Sequence, residues 1–373
     1  MTRLRGPSIG ALMVAVGAIV LASAVPTLAQ DYKGSEFCFD CHPSNFNDWK
    51  VSGHPYKLMR GEEAKNRPIP LPEGYRWDDI SYVIGGYKWK SRYVDADGYI
   101  ITSIIDEETN EVIPGMNQYN NFTGGWVDYH PGEMKPYDCG RCHTTGWVAD
   151  EDWETDADLS DNQDGLPGIH GTFAFGGVQC EECHGPFVDF GTHFGVGPVV
   201  DTSAAACGEC HIRGNPLAIP ASGGFIRHHE QYNEQLASPH KVLDCVSCHN
   251  PHKKGEFSIV KSCETCHDSV ADSYAATPME AVGVECEDCH MPFASKSAAA
   301  LGPYKGDVRT HLFRINTDED GELFTADGKF VALDDEGQGA LNLDFACRSC
   351  HPDKAQNWLA GKAKNFHQRR GGA

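Results

Sequence analysis

The hydrophobic pattern predicts few elements, and most of them are short. One apolar run stands at the start, Ile9 to Leu21, behind the basic Arg3 and Arg5 and ahead of the small-residue stretch Thr27-Leu28-Ala29. That order predicts a secretory signal peptide over residues 1–29. The run is short for a membrane span of about 20 residues, and no later segment could span a bilayer. Pro68, Pro70 and Pro72 mark a linker. Three β-like runs follow, Ile80 to Ile84, Tyr87 to Val94 and Tyr99 to Ile105, with Asp95-Ala-Asp-Gly98 as a hairpin turn between the last two. They predict a small β insertion over about residues 78–115, with packing as its role. A second hairpin signal runs from Leu323 to Leu333 around Ala326-Asp-Gly328, and Pro352 to Phe366 predicts a helix carrying Trp358.

The rest of the chain is punctuated by cysteine. Its 16 cysteines form eight Cys-x-x-Cys-His motifs and none is left over. The pairs are Cys38 and Cys41, Cys139 and Cys142, Cys180 and Cys183, Cys207 and Cys210, Cys245 and Cys248, Cys263 and Cys266, Cys286 and Cys289, and Cys347 and Cys350. This spacing is the attachment signal of c-type haem. Two thioether bonds hold the macrocycle, and the histidine that follows binds its iron. Paired cysteines also bind zinc, but eight such motifs behind an export signal read as eight covalent haems. Haem attachment in bacteria takes place outside the cytoplasmic membrane, so periplasm or cell exterior is the expected location.

Composition agrees. Residues 30–373 offer 43 residues per haem, with Gly 40, Pro 21 and 40% hydrophobic residues in the whole chain. Macrocycles must then supply much of the core. The expected fold class is a multihaem cytochrome, mostly irregular, with short α-helices and small β-hairpins wrapped around stacked haems. Two regions are expected, residues 30–260 with haems 1–5 and residues 261–373 with haems 6–8. Without its leader the chain keeps 29 of 31 Lys and Arg and all 53 Asp and Glu, a net charge of −24. Nucleic acid is excluded as a partner on that charge. Other redox proteins and extracellular metal oxides are compatible with it. The acidic run Asp150 to Asp164, with Asp156, Asp158, Asp161 and Asp164-Gly165, has the oxygen-rich spacing of a calcium loop but no full EF-hand pattern.

The histidines extend the chemistry. Eight are the proximal ligands His42, His143, His184, His211, His249, His267, His290 and His351. Ten remain: His54, His130, His170, His193, His228, His229, His240, His252, His311 and His367. Eight irons need eight sixth ligands, so the supply suffices for bis-histidine ligation throughout, with one of the adjacent His228 and His229, here His229, left beside a ligand. Six fixed ligands leave no place for substrate at iron. The chain then reads as an electron carrier for anaerobic respiration or extracellular electron transfer.

Particular phrases also carry a resemblance. Cys180-Glu-Glu-Cys183-His184-Gly-Pro with His193 resembles the signature of multihaem cytochromes that include the tetrahaem cytochrome of ammonia oxidisers and the octahaem tetrathionate reductases. Residues 82–90, Pro136-Tyr-Asp-Cys139-Gly-Arg-Cys142-His143-Thr-Thr-Gly146 and Ser238-Pro-His240 through Asn250-Pro-His252 resemble the extracellular filament-forming cytochromes of the OmcE type, over about residues 78–255. That likeness implies closely stacked haems and self-association into filaments, with His54 or His367 donated to a neighbouring copy. The octahaem reductases imply an alternative, reduction of small nitrogen or sulfur oxyanions at one open haem. Their catalytic haem commonly carries a lysine in place of the proximal histidine, and this sequence has no Cys-x-x-Cys-Lys.

Overall fold

The Cys-x-x-Cys-His segments close into single helical turns. The backbone N–H of the histidine donates to the carbonyl of the first cysteine in the turns ending at His42, His211, His249, His267 and His351, at 2.9–3.0 Å. Cysteines three residues apart on a helical turn share a face, and the histidine one position on lies beside them. Local backbone geometry therefore presents two sulfurs and one imidazole together. The turns are α-helical at Cys180–His184 and Cys286–His290, and 3₁₀ at Cys245–Ser247 and Cys263–Thr265. Glycine is required inside two of them. A Cβ on Gly140 would meet the Trp147 ring at 1.8 Å, and one on Gly208 would meet Tyr232 at 2.6 Å.

The computed structural model describes residues 32–151, 159–198, 200–275 and 277–368. The leader read over residues 1–29 lies outside them, as do Asp156 and Asp158.

A seven-stranded antiparallel sheet forms the one extended regular body. It comprises β1 (Leu58–Arg60), β2 (Ile80–Gly85), β3 (Lys90–Asp95), β4 (Tyr99–Ile100) and, beyond the β5 (Ser103–Ile105) and β6 (Val112–Pro114) hairpin, β7 (Gln118–Asn120), β8 (Trp126–Val127) and β9 (Lys135–Pro136). The order is β1-β2-β3-β4-β9, with β7 paired to β3 and β8 to β7. The sheet thus extends past the predicted residues 78–115 on both sides, because β1, β8 and β9 are too short to show alternation. Both of its faces are covered. Leu58, Tyr82, Ile84, Val94 and Ile100 pack on one side with Tyr137, Ile169 and Phe173. Met59, Val83, Tyr93 and Ile101 pack on the other with Ala64 and Ile69. Register shifts between Ile80 and Tyr82, which returns Ile80 to the second face.

A second core gathers Ile219, Phe225, Ile226, Ala237, Ala294, Leu312, Leu323, Val331, Leu341 and Phe345, drawing on both sides of residue 260. The predicted hairpin at 323–333 is present as the bridge Phe324–Val331, closed by Gly328 at φ 69°. Leu312 is fully buried here. Leu312→Ala is expected to lower stability by about 2–5 kcal/mol, read as a fall in the denaturant midpoint. The predicted C-terminal helix runs over Gln356–Ala363, shorter than Pro352 to Phe366.

Candidate haem sites

Six motif histidines each face a second histidine, ring to ring. His42 faces His193 at 5.9 Å between ring centroids, His211 faces His54 at 6.5 Å, and His184 faces His252 at 6.1 Å. His267 faces His240 at 5.9 Å, His249 faces His311 at 6.1 Å, and His290 faces His367 at 5.8 Å. An imidazole nitrogen sits about 2.0 Å from a bound metal. Two imidazoles on opposite sides of one ion then have ring centres about 6.3 Å apart. All six separations lie close to that value.

The ring nitrogens are also oriented. Nδ1 of His143 lies 3.1 Å from the Lys57 carbonyl, and Nδ1 of His290 lies 2.7 Å from the Phe313 carbonyl. Nδ1 of His249 is 2.9 Å from Ser258 Oγ, and Nδ1 of His211 is 3.4 Å from Gln231 Oε1. A partner on Nδ1 fixes the tautomer and turns Nε2 outward as the ligand atom. His211 is exposed at the surface of its slot, yet burial in surrounding protein lowers its pKa to about 4. The same cause lowers His249 to about 4 and His54 to about 3. Protein packed densely around an accessible ring describes a deep, narrow cleft. These residues fit covalent haem.

The motifs adjoin one another. The thiols of Cys38 and Cys180, Cys142 and Cys210, Cys207 and Cys245, and Cys263 and Cys286 lie within hydrogen-bond reach. Cys183 is near Cys207, and Cys289 is near Cys347 and Cys350. His240, just ahead of the fifth motif, faces His267 of the sixth. The eight motifs thus form one continuous succession.

Two motif histidines differ. Among the described residues no histidine ring is stacked opposite His143 or His351. His351 has Trp358 beside it at 5.5 Å. His143 lies in a cationic neighbourhood. Burial lowers its pKa to about 4, with Lys57 and Arg92 adding to the shift. Burial likewise lowers Lys90 to about 8, and Arg92, Arg213 and Lys296 add to that. His228 is lowered to about 3 by burial and by Lys90, Arg213, Arg92 and Arg227, and the adjacent His229 is pushed well down by burial, His228, Lys57 and the motif histidines His211 and His143. The Arg92 guanidinium stacks 3.7 Å from the Tyr129 ring centre and donates to Gln118 Oε1 at 2.7 Å. Arg213 donates to the His228 carbonyl at 3.1 Å, with Nη2 3.3 Å from His228 Nε2. The acid nearest to it, Glu230, is buried with both oxygens unbonded, 3.6 Å from Arg213, and burial raises its pKa to about 9. At neutral pH that carboxyl is protonated, so it does not balance the cations. Asp307 offsets part of this charge at Lys90, and the excess of buried cations favours an anion.

The remaining predicted histidines are placed differently, and His229 lies near the motif histidines His143 and His211. His130, at φ 47°, stacks on Tyr129 and has Nδ1 2.7 Å from Glu133. His170 is buried, with its carbonyl accepting from Asp150. Of the calcium-like run, Asp164 is engaged by Arg60 at 2.8 Å and by the Tyr82 hydroxyl at 2.5 Å. No cluster of three acidic, Cys or His side chains arranged for a metal ion occurs among the described residues.

Sequence reading missed Lys90 and Arg92, having assigned the β insertion to packing alone. The signal was present. Residues two apart on a strand share a face, and Lys90-Ser-Arg92 puts two cations on one face of an otherwise buried strand.

The fold these sites are built on is that of multihaem cytochromes. No family model matches the chain. It is 21% identical to the dissimilatory sulfite reductase MccA of Wolinella succinogenes, across 90% of this chain and 63% of that protein, so it spans less than two thirds of the relative's length. The solved octahaem sulfite reductase MccA of the same organism superposes with a TM-score of 0.63 at 19% identity, covering 86% of this chain and 65% of that one. The outer cell wall cytochrome OcwA superposes with a TM-score of 0.54 at 20% identity, covering 88% and 86%. No described helix is long and apolar enough to cross a membrane.

Proposed function

We propose that this chain is an exported c-type cytochrome with haem at all eight motifs, which gathers electrons and uses them to reduce a small oxyanion at the haem of Cys139, Cys142 and His143. The carrying observation is the division of the motif histidines: among the described residues six have a histidine ring facing them, whereas His143 has none stacked on it and has Lys57, Arg92 and His229 near it, with Lys90 and Arg213 beside Arg92. Bound haem supplies one-electron exchange at its iron. The six paired histidines would each hold a haem between two imidazoles and leave no place for another ligand, which is what a relay requires. Around His143 the chain supplies positive charge instead. The guanidinium of Arg92 is planar and fixed by Tyr129 and Gln118, a geometry suited to two oxygens of one anion. Lys90, with a pKa near 8, holds a proton close to the working pH and can release it to a reduced product.

The reading departs from bis-histidine ligation at every iron, and it favours the reductase alternative over a carrier alone. The similarity to a sulfite reductase across most of the chain supports it. Filament formation by donation of His54 or His367 is not favoured, because His54 faces His211 and His367 faces His290 within the chain. Export rests on the leader-like run at residues 1–29 and on the haem motifs.

The test is turnover with a reduced viologen dye as donor. Sulfite, nitrite, hydroxylamine and tetrathionate are offered in turn, alongside the pyridine haemochrome assay for haem content. The proposal expects close to eight haems per chain and dye oxidation with at least one acceptor. Full haem content without turnover on any of the four contradicts the reductase reading, and fewer than about seven haems contradicts the cofactor count.

A further inference from the structure

Charge is distributed unevenly along the chain, and the exception surrounds the last motif. Residues 344–373 carry Arg348, Lys354, Lys362, Lys364, Arg369 and Arg370 against two acids, Asp353 and Asp344, the latter paired with Arg348, in a chain of net charge −22. In the structure Lys354 and Lys362 place their ammonium groups 5.3 and 5.7 Å from the ring centre of Trp358, and Trp358 lies 5.5 Å from His351. Trp358 is 38% exposed, and both lysines and Cys350 are exposed. The helix Gln356–Ala363 that carries this face is held from behind. Leu359 is buried beneath it. Arg348 donates to the Pro352 and Lys354 carbonyls at 3.2 and 3.0 Å and to Gln356 Oε1 at 3.0 Å. A flat aromatic ring flanked by two cations on a fixed helix, over a redox centre, has the make-up of an interface core with a charged rim.

We propose that the face formed by Lys354, Trp358 and Lys362 is the docking site of an acidic electron-transfer protein, and that electrons enter the chain there. This rests on the reading of a haem at Cys347, Cys350 and His351. The occupant is fixed by charge: an acidic partner is repelled by this anionic chain as a whole and attracted to this face, so the patch sets its orientation as well as its rate of encounter. A haem held by Cys347, Cys350 and His351 would take up one electron from the partner's reduced centre, with no bond made or broken. Succession of the motifs from Cys347 through Cys289 and Cys263 then leads inward.

The experiment uses the full haem-loaded protein and a plant-type ferredoxin, a small acidic reductant, as the probe. Its binding is followed by calorimetry and its oxidation by stopped flow, from low to high ionic strength. The double variant Lys354→Glu, Lys362→Glu is compared with Lys65→Glu, a charge reversal on the sheet side of the chain. The double variant is expected to lose about tenfold or more in both affinity and rate at low salt, with the difference closing at high salt as charges are screened. Lys65→Glu is expected to lose neither. Equal affinity, rate and salt slope in the wild type and the double variant would overturn the docking site. So would a variant that shifts the potential of one haem while binding unchanged, since the lysines would then serve that haem's own propionates. Cys347→Ala with Cys350→Ala should lower the haem content by one. A chain that keeps its full content without them shows that the haem reading has failed, independently of docking.

Discussion

Arg92→Gln lowers the rate of oxyanion reduction by about 10²–10³-fold in the expected result, with haem content and the low-spin spectrum unchanged. That is the usual loss when one preorganised charged donor is removed from a water-poor site. Burial depresses the pKa of Arg92, but a guanidinium stays charged in proteins, so the cation is retained at a cost that the fold sustains. Its neighbours add to that cost, since Lys90 and Arg213 carry the same sign. A substrate anion removes the repulsion and gains the guanidinium. Arg92→Lys separates geometry from charge. It keeps the positive charge but loses the planar fork over Tyr129, and it should recover only part of the rate. Lys90→Met should also slow turnover and should flatten the rise or fall of rate near pH 8, where Lys90 changes charge. A pH profile identical to the wild type would remove Lys90 from the chemistry. Full activity in Arg92→Gln would remove the cationic pocket altogether.

His54→Ala should convert one further haem, that of Cys207, Cys210 and His211, from six-coordinate to open. The two rings stand 6.5 Å apart in the wild type, and His54 comes from the far side of the sheet in sequence, so nothing local replaces it. Loss of an imidazole removes a strong donor, and the potential of that iron should rise. Because the Cys207 motif adjoins those of Cys142, Cys183 and Cys245, a raised potential there traps electrons midway along the succession. Turnover with the dye donor should fall while substrate affinity at the Arg92 pocket stays constant. His54→Met should restore six-coordination but leave the potential high, since methionine is the weaker donor. An unchanged spectrum in His54→Ala would mean that His54 is not a ligand.

The two predictions rest on features of different legibility. The haem motifs are legible because their geometry is local: four residues of one helical turn place Cys207, Cys210 and His211 together whatever the rest of the chain does. The distal histidines are legible as a set, by supply and demand, but not as pairs. His54 meets His211 and His249 meets His311 through tertiary packing that no spacing encodes. Counting also overreached. It offered His130, His170 and His228 to iron along with the other spare imidazoles, whereas His130 is turned toward Glu133 at a left-handed position and His228 is engaged with Arg213. Most of β2 and β3 could be read from their alternation. The strands β8 and β9 could not, because two residues have no period. Lys90 and Arg92 were visible as residues but lacked meaning until β3 was brought against the second motif. Glu230 is similar, an ordinary surface-type residue in sequence that the fold buries without a hydrogen bond.

Electron paramagnetic resonance of the oxidised, fully loaded protein tests the central claim most directly. The account predicts six low-spin irons from the six facing histidine pairs, together with high-spin signal from the His143 and His351 sites, of which the His143 component sharpens or shifts when sulfite or nitrite is added. A spectrum in which every iron is low-spin and no added anion changes it would contradict the account and return the protein to the role of a carrier.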